Sequence, residues 1–177
     1  MDRRVLSSLF LVLLSVLLPV VWSCKCKAQP PKVSYCNAHW VAHTHINSRQ
    51  KEQKMPKGII DRQIFSNLHY RVKYLNIYKM PEEFNNTALP IDIYSAEEDA
   101  ACGIILEPGH EYLLTGRLVN GTMLTQLCGQ ILFDDLQKSK LEDVLEWKEV
   151  PETTQNNCKR KHSSQNAKVC WLSCNDD

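Results

Sequence analysis

The sequence lacks the short motifs by which hydrolases and nucleotide-binding enzymes are commonly recognised. It contains no GxSxG, no HExxH and no glycine-rich phosphate loop, and only 6 of its 177 residues are glycine. Adjacent carboxylates occur at Asp134 and Asp135 and in the run 97–99, but there we interpret them as solvated charge at a helix entrance and in a loop. The sequence therefore predicts a protein that is not an enzyme.

An excess of charge of one sign is also missing. Residues 24–177 hold equal numbers of basic and acidic side chains, because residues 1–23 contain two of the 21 basic residues and one of the 20 acidic ones. A balanced chain has no electrostatic reason to take nucleic acid or an anionic membrane as its main partner. The short basic run KRK at 159–161 is at most a candidate for weak binding of acidic polysaccharide.

Hydrophobic runs long enough to span a bilayer are absent after the first 21 residues. At the N-terminus, three charged residues precede an apolar run from Val5 to Val21, and the small Ser23 follows, which is the pattern of a secretory signal peptide over residues 1–23. This run is short for the roughly 20 residues of a membrane helix. A bacterial lipoprotein leader also places cysteine after the cut, but Trp22 fits that cleavage site poorly. We expect a secreted, extracellular protein that begins at Cys24.

Cysteine, in contrast, is plentiful, and every cysteine follows the predicted cut. An even number in an exported chain predicts four disulfides. Zinc binding is the competing use, since His39, His43 and His45 lie near the first cysteines, but no CxxC pair is present and several cysteines stand alone. His43 and His45 fall on one face of a predicted strand, where we expect a solvated face rather than a ligand pair. The eight cysteines are Cys24, Cys26, Cys36, Cys102, Cys128, Cys158, Cys170 and Cys174.

Short alternating segments dominate the rest of the chain and predict a mainly β protein. Asn120-Gly121 between two alternating runs is typical of a type I′ hairpin turn, and a change of phase at Leu75 indicates a bulge. Ser139 with Glu142 begins a predicted helix that reaches Lys148. Five or six strands and one late helix favour a small antiparallel barrel, although a sandwich remains open. The predicted strands are 35–46, 68–80, 90–96, 102–106 and the two arms of 111–128, with a long exposed loop or flexible hairpin tip over 47–63.

Two tripeptides match the acceptor pattern for N-linked glycans. Asn85 begins NNT and Asn120 begins NGT, and the second would lie on the exposed tip of the predicted hairpin. Such tripeptides occur often by chance. They are consistent with export but carry little weight alone.

The mature chain would begin CKCKAQPPKVSYCNA, with Cys-x-Cys at the terminus and Cys36-Asn37-Ala38 after it. Further along come ACGIIL from Ala101, EYLLTGRL from Glu111 and LC at Cys128. In this order and placement, the chain from Cys24 to Cys158 resembles the tissue inhibitors of metalloproteinases. Cys-x-Cys alone is weak, but its position together with the downstream segments is specific.

The resemblance implies the fold and the disulfides. It implies a closed oligosaccharide/oligonucleotide-binding (OB) type barrel, the netrin-like module, over residues 24–158, followed by a short tail over 159–177. The cysteine count alone leaves 105 pairings open. The implied bridges are Cys24–Cys102, Cys26–Cys128 and Cys36–Cys158, which leaves Cys170 with Cys174.

The resemblance also implies a mechanism and a contact surface. The α-amine and carbonyl oxygen of Cys24 would chelate the catalytic zinc of a target protease in a five-membered ring, at the position that such a zinc keeps open for water. An α-amine loses its proton more readily than a lysine does, so binding requires little deprotonation cost. Lys25 would enter the pocket for the substrate residue after the scissile bond. The implied contact residues are Lys25, Cys26, Lys27, Ala100, Ala101 and Cys102, with the chain to Pro30 extending the contact.

This chain differs from the family in the residue at position 25 and in the number of cysteines in its C-terminal part. Family members commonly carry a small hydroxylated residue where this chain has Lys25, so we expect an altered range of matrix metalloproteinase-like targets. Vertebrate relatives have a second, six-cysteine domain, and we expect contacts made through that domain to be absent here. We expect a monomer with no cofactor of its own. The competing hypothesis is a netrin-like extracellular scaffold without inhibitory activity.

Overall fold

The computed structural model describes five strands, one helix and three short 3-10 turns. The predicted leader, Asn85, the acidic pair at 134–135 and the tail apart from Cys174 lie outside the described residues. Among the residues that are described, no helix is long and apolar enough to cross a membrane. The described residues are 24–27, 29–56, 59, 66–84, 87–133, 144–152, 154–155 and 174.

The strands close into a barrel in the order β1-β2-β3-β5-β4. Four of the five pairings are antiparallel, and the short contact between β3 and β5 is parallel. This closure confirms the predicted mainly β, OB-type barrel and excludes the sandwich. The elements are α1 (Pro31–Asn37), β1 (Trp40–Gln53), β2 (Asn67–Lys79), β3 (Asp92–Ala96), β4 (Glu111–Val119) and β5 (Thr122–Leu124).

The first strand begins later and ends later than the sequence pattern indicates. Tyr35 to Asn37, predicted as strand, form the end of α1, which Pro31 starts at a position where proline is tolerated. The strand then continues through Gln53, although the sequence predicts residues 47–53 as part of an exposed loop or hairpin tip. Beyond Ile46 this arm pairs only with β2 and is mostly exposed, so it carries no apolar alternation that would reveal a strand.

The predicted bulge and hairpin are both confirmed. Pairing of β1 with β2 skips Leu75 between the pairs His43–Asn76 and Thr44–Tyr74, at the point where the apolar pattern changes phase. At the β4–β5 turn, Asn120 has φ 47° and Gly121 has φ 76°, the two positive values of a type I′ turn. Asn120 is exposed at this tip, as expected.

The segment Cys102–Leu106 is not a strand, which corrects the prediction. Its backbone is bonded mainly by side chains: Ile104 N–H donates to Ser95 Oγ at 3.0 Å, and Leu106 N–H donates to the Tyr70 hydroxyl at 3.1 Å. That hydroxyl also donates to Ile104 O at 2.7 Å. The alternating burial that suggests a strand is present, but two polar side chains replace the neighbouring strand.

The predicted helix from Ser139 to Lys148 is wrong over its described part. Residues 134–143 lie outside the described residues, and Val144 to Glu146 run beside β4 instead of coiling. Leu113 N–H donates to Leu145 O at 3.3 Å, and Glu146 forms a bridge with Tyr112. A 3-10 turn, Trp147–Glu149, follows. Backbone groups that bond to the sheet are not available for a helix.

Two apolar clusters lie on opposite sides of the barrel wall. The interior cluster includes Trp40, Tyr70, Ile93, Leu114 and Met123, all essentially inaccessible to solvent. A second cluster covers the outside of β1 and β4, because α1 and the 144–150 segment pack there. Both faces of these two strands are therefore buried at this end of the barrel. The outer cluster consists of Tyr35, Ala38, Val41, Leu113, Ile131 and Val150.

Candidate functional site

The segment Cys24–Lys27 is held against the barrel by two disulfides. Cys24 bonds to Cys102 and Cys26 bonds to Cys128, with Cα–Cα distances of 5.2 and 5.1 Å. Both pairings confirm the predicted ones. The two cysteines are half-buried, whereas Lys25 and Lys27 are exposed. The alternation of cysteine and lysine therefore fixes two side chains to the barrel and leaves the other two exposed.

The four sulfur atoms of these bridges form one compact cluster. The Sγ atom of Cys24 lies 3.6 Å from that of Cys128, and all four atoms lie within 4.8 Å of one another. Among the described residues this is the only group of three or more side chains close enough to share a metal. Each sulfur is in a disulfide, however, and has no thiolate to offer. The structure thus supports disulfides rather than a zinc site at these cysteines.

Two histidines near the N-terminus, His43 and His39, have other partners. His43 is buried, its Nε2 lies 2.8 Å from Glu111 Oε2, and its ring stacks on Trp147 with centroids 3.7 Å apart. The prediction of a solvated face is therefore wrong for His43, because the 144–150 segment covers this side of β1. His39 Nδ1 accepts a hydrogen bond from Leu118 N–H at 3.2 Å.

A second edge lies beside the N-terminal segment. It is the 3-10 turn Asp99–Ala101, which ends at Cys102 with φ 56°. Gly103 follows, and a Cβ there would lie 2.1 Å from Ala96 O, so the turn packs directly on the end of β3. Ala100 is exposed and Ala101 is half-buried. The structure thus brings the predicted contact residues 100–102 together with Cys24.

A buried glutamine, which the sequence pattern did not single out, supports the loop that carries Cys128. The Gln130 side chain accepts from Thr115 N–H at 3.1 Å and donates to Thr115 O at 3.1 Å and to Gln126 O at 2.8 Å. Leu127 N–H also donates to Cys102 O at 2.9 Å, joining this loop to the second edge. Only the apolar neighbours of Gln130 in the sequence hint at its burial. A cavity of about 660 Å³ opens next to this loop, with Lys27 and Arg117 in its lining.

Helix α1 continues from the N-terminal segment and is fixed by Lys79, another residue that the sequence pattern did not single out. Lys79 Nζ donates to Tyr35 O at 3.1 Å and to Cys36 O at 2.8 Å, at the C-terminal end of the helix. Burial lowers the pKa of Lys79 below its usual value. The Tyr35 hydroxyl donates to Tyr78 O at 3.0 Å. These bonds hold the helix on the outer wall of the barrel.

The third disulfide differs from the prediction. Cys36 bonds to Cys174, with a Cα–Cα distance of 5.6 Å, so the expected pairs Cys36–Cys158 and Cys170–Cys174 are both wrong. Cys158 and Cys170 lie outside the described residues. A pairing depends on which cysteine of the tail reaches α1 in space, and the order of cysteines along the chain does not contain that information.

Comparison with known proteins bears directly on this arrangement. A family model described as tissue inhibitor of metalloproteinase matches residues 22–174. This chain belongs to that family. A relative from Caenorhabditis elegans, named "Putative metalloproteinase inhibitor tag-225", is 46% identical over 153 residues, which cover 86% of this chain and 95% of the relative.

Vertebrate relatives are more distant and longer. Metalloproteinase inhibitor 3 from Xenopus laevis is 27% identical over 123 residues, covering 69% of this chain and 52% of that protein. The protein of the same name from Scyliorhinus torazame is 26% identical over 127 residues, covering 71% of this chain and 54% of that protein. The matched part spans about half the length of these relatives. The family consists of inhibitors and not of enzymes, in agreement with the absence of catalytic motifs.

Proposed function

We propose that this chain is a secreted inhibitor of zinc metalloproteases that acts through the N-terminal residue of its mature form. The observation that carries the proposal is the pair of bridges from Cys24 and Cys26 to two separate loops of the barrel. Membership of the inhibitor family and the inhibitor names of its relatives support it. Removal of residues 1–23 would expose the α-amine of Cys24 at this anchored edge.

The chemistry of the terminus fits a zinc ligand. The α-amine and the carbonyl oxygen of Cys24 form a bidentate pair that can take the position of the catalytic water on a protease zinc. The Cys24 sulfur is committed to Cys102 and takes no part. The protein itself needs no cofactor for this action, since the metal belongs to the target.

Lys25 would then decide which proteases are inhibited. Its exposed side chain lies between the two anchored cysteines and would enter the pocket that follows the scissile bond. A lysine reaching an apolar pocket must lose water from its ammonium group unless the pocket offers an acid or an opening to solvent. Matrix metalloproteinase-like enzymes with such pockets are the proposed targets, contacted also by Lys27 and by residues 100–102.

Other properties complete the proposal. We expect a monomer in the extracellular space, with a glycan at Asn120 on the hairpin tip and weak binding of acidic polysaccharide by the basic residues 159–161. Light scattering checks the monomeric state. The mass of the secreted protein before and after glycan removal checks the glycan at Asn120. Polysaccharide binding is checked by comparing elution from a heparin column between the wild type and a variant in which the three basic residues are replaced.

The deciding experiment compares two proteins that differ only at the terminus. One begins at Cys24 with an unmodified α-amine, and the matched control carries one additional alanine before Cys24. We expect inhibition of a metalloprotease panel by the first protein alone, because the extra residue removes the amine from its chelating position. Equal inhibition by both proteins would contradict chelation. Failure of both to bind any protease would favour the scaffold hypothesis.

The predicted cut needs its own measurement. N-terminal sequencing of the protein secreted from expressing cells should give Cys-Lys-Cys-Lys as the first cycles. A mature terminus at any other residue would refute the proposed role of Cys24. The leader itself is tested by whether deletion of residues 1–23 keeps the protein inside the cell.

A further inference from the structure

Glu97, the first residue after β3, is bonded through both its backbone and its side chain to the far end of the β1–β2 hairpin. Its N–H donates to Ser66 O at 3.1 Å. Its carboxylate Oε2 accepts a hydrogen bond from Ser66 Oγ and another from Glu52 N–H at 3.1 Å. The prediction of a solvated carboxylate in a loop is therefore incomplete, because three bonds tie Glu97 to two segments.

The partners of Glu97 lie where the hairpin is irregular. The register of β1 with β2 shifts between Gln50 and Gln53, and Glu52 between them adopts φ 55°, a left-handed conformation that is uncommon for a residue other than glycine. In this conformation the Glu52 N–H is directed to the carboxylate of Glu97. The bond with Ser66 Oγ, then that with Glu52 N–H, holds the pKa of Glu97 below its usual value.

From Glu97 a continuous set of bonds leads to the N-terminal residue. The next residue, Glu98, accepts at its carbonyl oxygen the N–H groups of Ala101 at 3.1 Å and Gly103 at 3.2 Å. Cys102 N–H donates to Asp99 O at 3.0 Å, and the Cys102 side chain is bonded to Cys24. The position of Glu97 therefore determines where the second edge begins, and the second edge is covalently joined to the proposed zinc-binding residue.

We infer that Glu97 is a positioning residue for the inhibitory surface, which it serves by fixing the 99–101 turn against the β1–β2 hairpin. The inference rests on the proposed function. Glu97 itself touches neither the terminus nor the proposed protease zinc. Because the net contribution of a hydrogen bond to overall stability is modest, its effect should be seen in the order of the edge and in the lifetime of the complex, more than in the melting temperature.

Three variants separate positioning from charge. Glu97→Ala removes the acceptor, Glu97→Gln keeps an oxygen that accepts both hydrogen bonds, and Glu98→Ala is the matched control. Glu98→Ala removes the same charge from the neighbouring residue but leaves its carbonyl oxygen in place. Dissociation rates from a protease that the wild type inhibits, and melting temperatures, are measured for all three.

We expect Glu97→Ala to dissociate about tenfold faster than the wild type, the factor implied if about one further residue of the edge must be ordered in the complex. Glu97→Gln should dissociate at close to the wild-type rate, because its side-chain oxygen keeps the hydrogen-bonded geometry. Glu98→Ala should dissociate within about twofold of the wild-type rate, because the Glu98 side chain takes no part in these hydrogen bonds. Equal effects of Glu97→Ala and Glu98→Ala would reduce the role of Glu97 to its charge. An unchanged rate for Glu97→Ala would overturn the inference.

A second measurement does not depend on inhibition. Hydrogen exchange of the N–H groups of Ala101, Cys102 and Gly103 reports the order of the edge in the isolated protein. We expect faster exchange in Glu97→Ala and unchanged exchange in Glu98→Ala. If no protease is inhibited but exchange accelerates, the proposed function fails while the positioning by Glu97 stands. If exchange is the same in all variants, Glu97 positions nothing.

Discussion

Removal of the Cys26–Cys128 bridge is the sharpest perturbation of the proposed mechanism. The double variant Cys26→Ser/Cys128→Ser leaves Cys24 joined to Cys102, so only Lys25 to Lys27 regain freedom. Ordering a residue costs roughly 1–2 kcal/mol. If about two of these three residues must be ordered again on binding, the cost of about 2–4 kcal/mol corresponds to a roughly 30- to 700-fold higher inhibition constant.

The same variant also loses stability, and this must be separated from the loss of inhibition. With the Cys24–Cys102 bridge intact, the Cys26–Cys128 bridge closes a loop of about 28 residues, for which loop entropy gives about 3–4 kcal/mol. The matched control is Cys36→Ser/Cys174→Ser, which removes the other described bridge and leaves the N-terminal segment tethered. Its loss of stability should be comparable, because that bridge also closes a long loop.

The assay is the inhibition constant against a metalloprotease panel, together with chemical denaturation of each variant. We expect weak inhibition from the Cys26/Cys128 variant and nearly unchanged inhibition from the Cys36/Cys174 variant, at a temperature where both remain folded. If both variants lose inhibition to the same extent as they lose stability, the argument that the Cys26–Cys128 bridge acts by ordering the terminus before binding is refuted. Unchanged inhibition by the Cys26/Cys128 variant would refute it as well.

Three further outcomes follow from the structure. Lys25→Thr should change the ranking of proteases in an inhibition panel, whereas Lys27→Thr should weaken binding with little change in ranking, because only Lys25 lies between the anchored cysteines. Lys79→Met should lower the free energy of unfolding by about 1–3 kcal/mol, measured by denaturation, because two helix carbonyls lose a charged donor; a loss below about 0.5 kcal/mol would contradict that role. Gly103→Ala should destabilise the protein by about 1–3 kcal/mol and weaken inhibition, because the new Cβ would collide with Ala96 O; retention of both properties would show that the turn can move.

Local sequence patterns correctly predicted the parts of the fold whose conformation depends on residues within one short segment. Asn120-Gly121 has the two residue types that accept positive φ, and the hairpin follows. The phase change at Leu75 is visible in the sequence because the side chains packed in the core are Tyr70 and Val72 before the bulge and Ile77 after it. In each case the nearest neighbours in the chain carry the physical cause.

Predictions failed where a segment distant in the sequence supplied the backbone hydrogen bonds or buried the side chain in question. The Cys102–Leu106 segment has the alternation of a strand, but Tyr70 and Ser95 bond its backbone. The 144–149 segment has helical spacing, but it bonds to β4. His43 alternates like a surface residue, yet that segment covers it. None of these contacts is encoded within a short window of residues.

The sequence by itself determined the leader pattern, the balanced charge, and the placement of a Cys-Lys-Cys at the predicted mature terminus, since these depend only on the order of residues. It also carried the family resemblance that points to inhibition. Only the tertiary structure decided that Cys36 pairs with Cys174, that Lys79 bonds to the end of α1, and that Gln130 and Glu97 bond to segments distant from them or to the loop beside them. The reason is physical: a disulfide or a buried hydrogen bond requires two groups within a few ångströms, and closure of the barrel, not distance along the chain, brings them there.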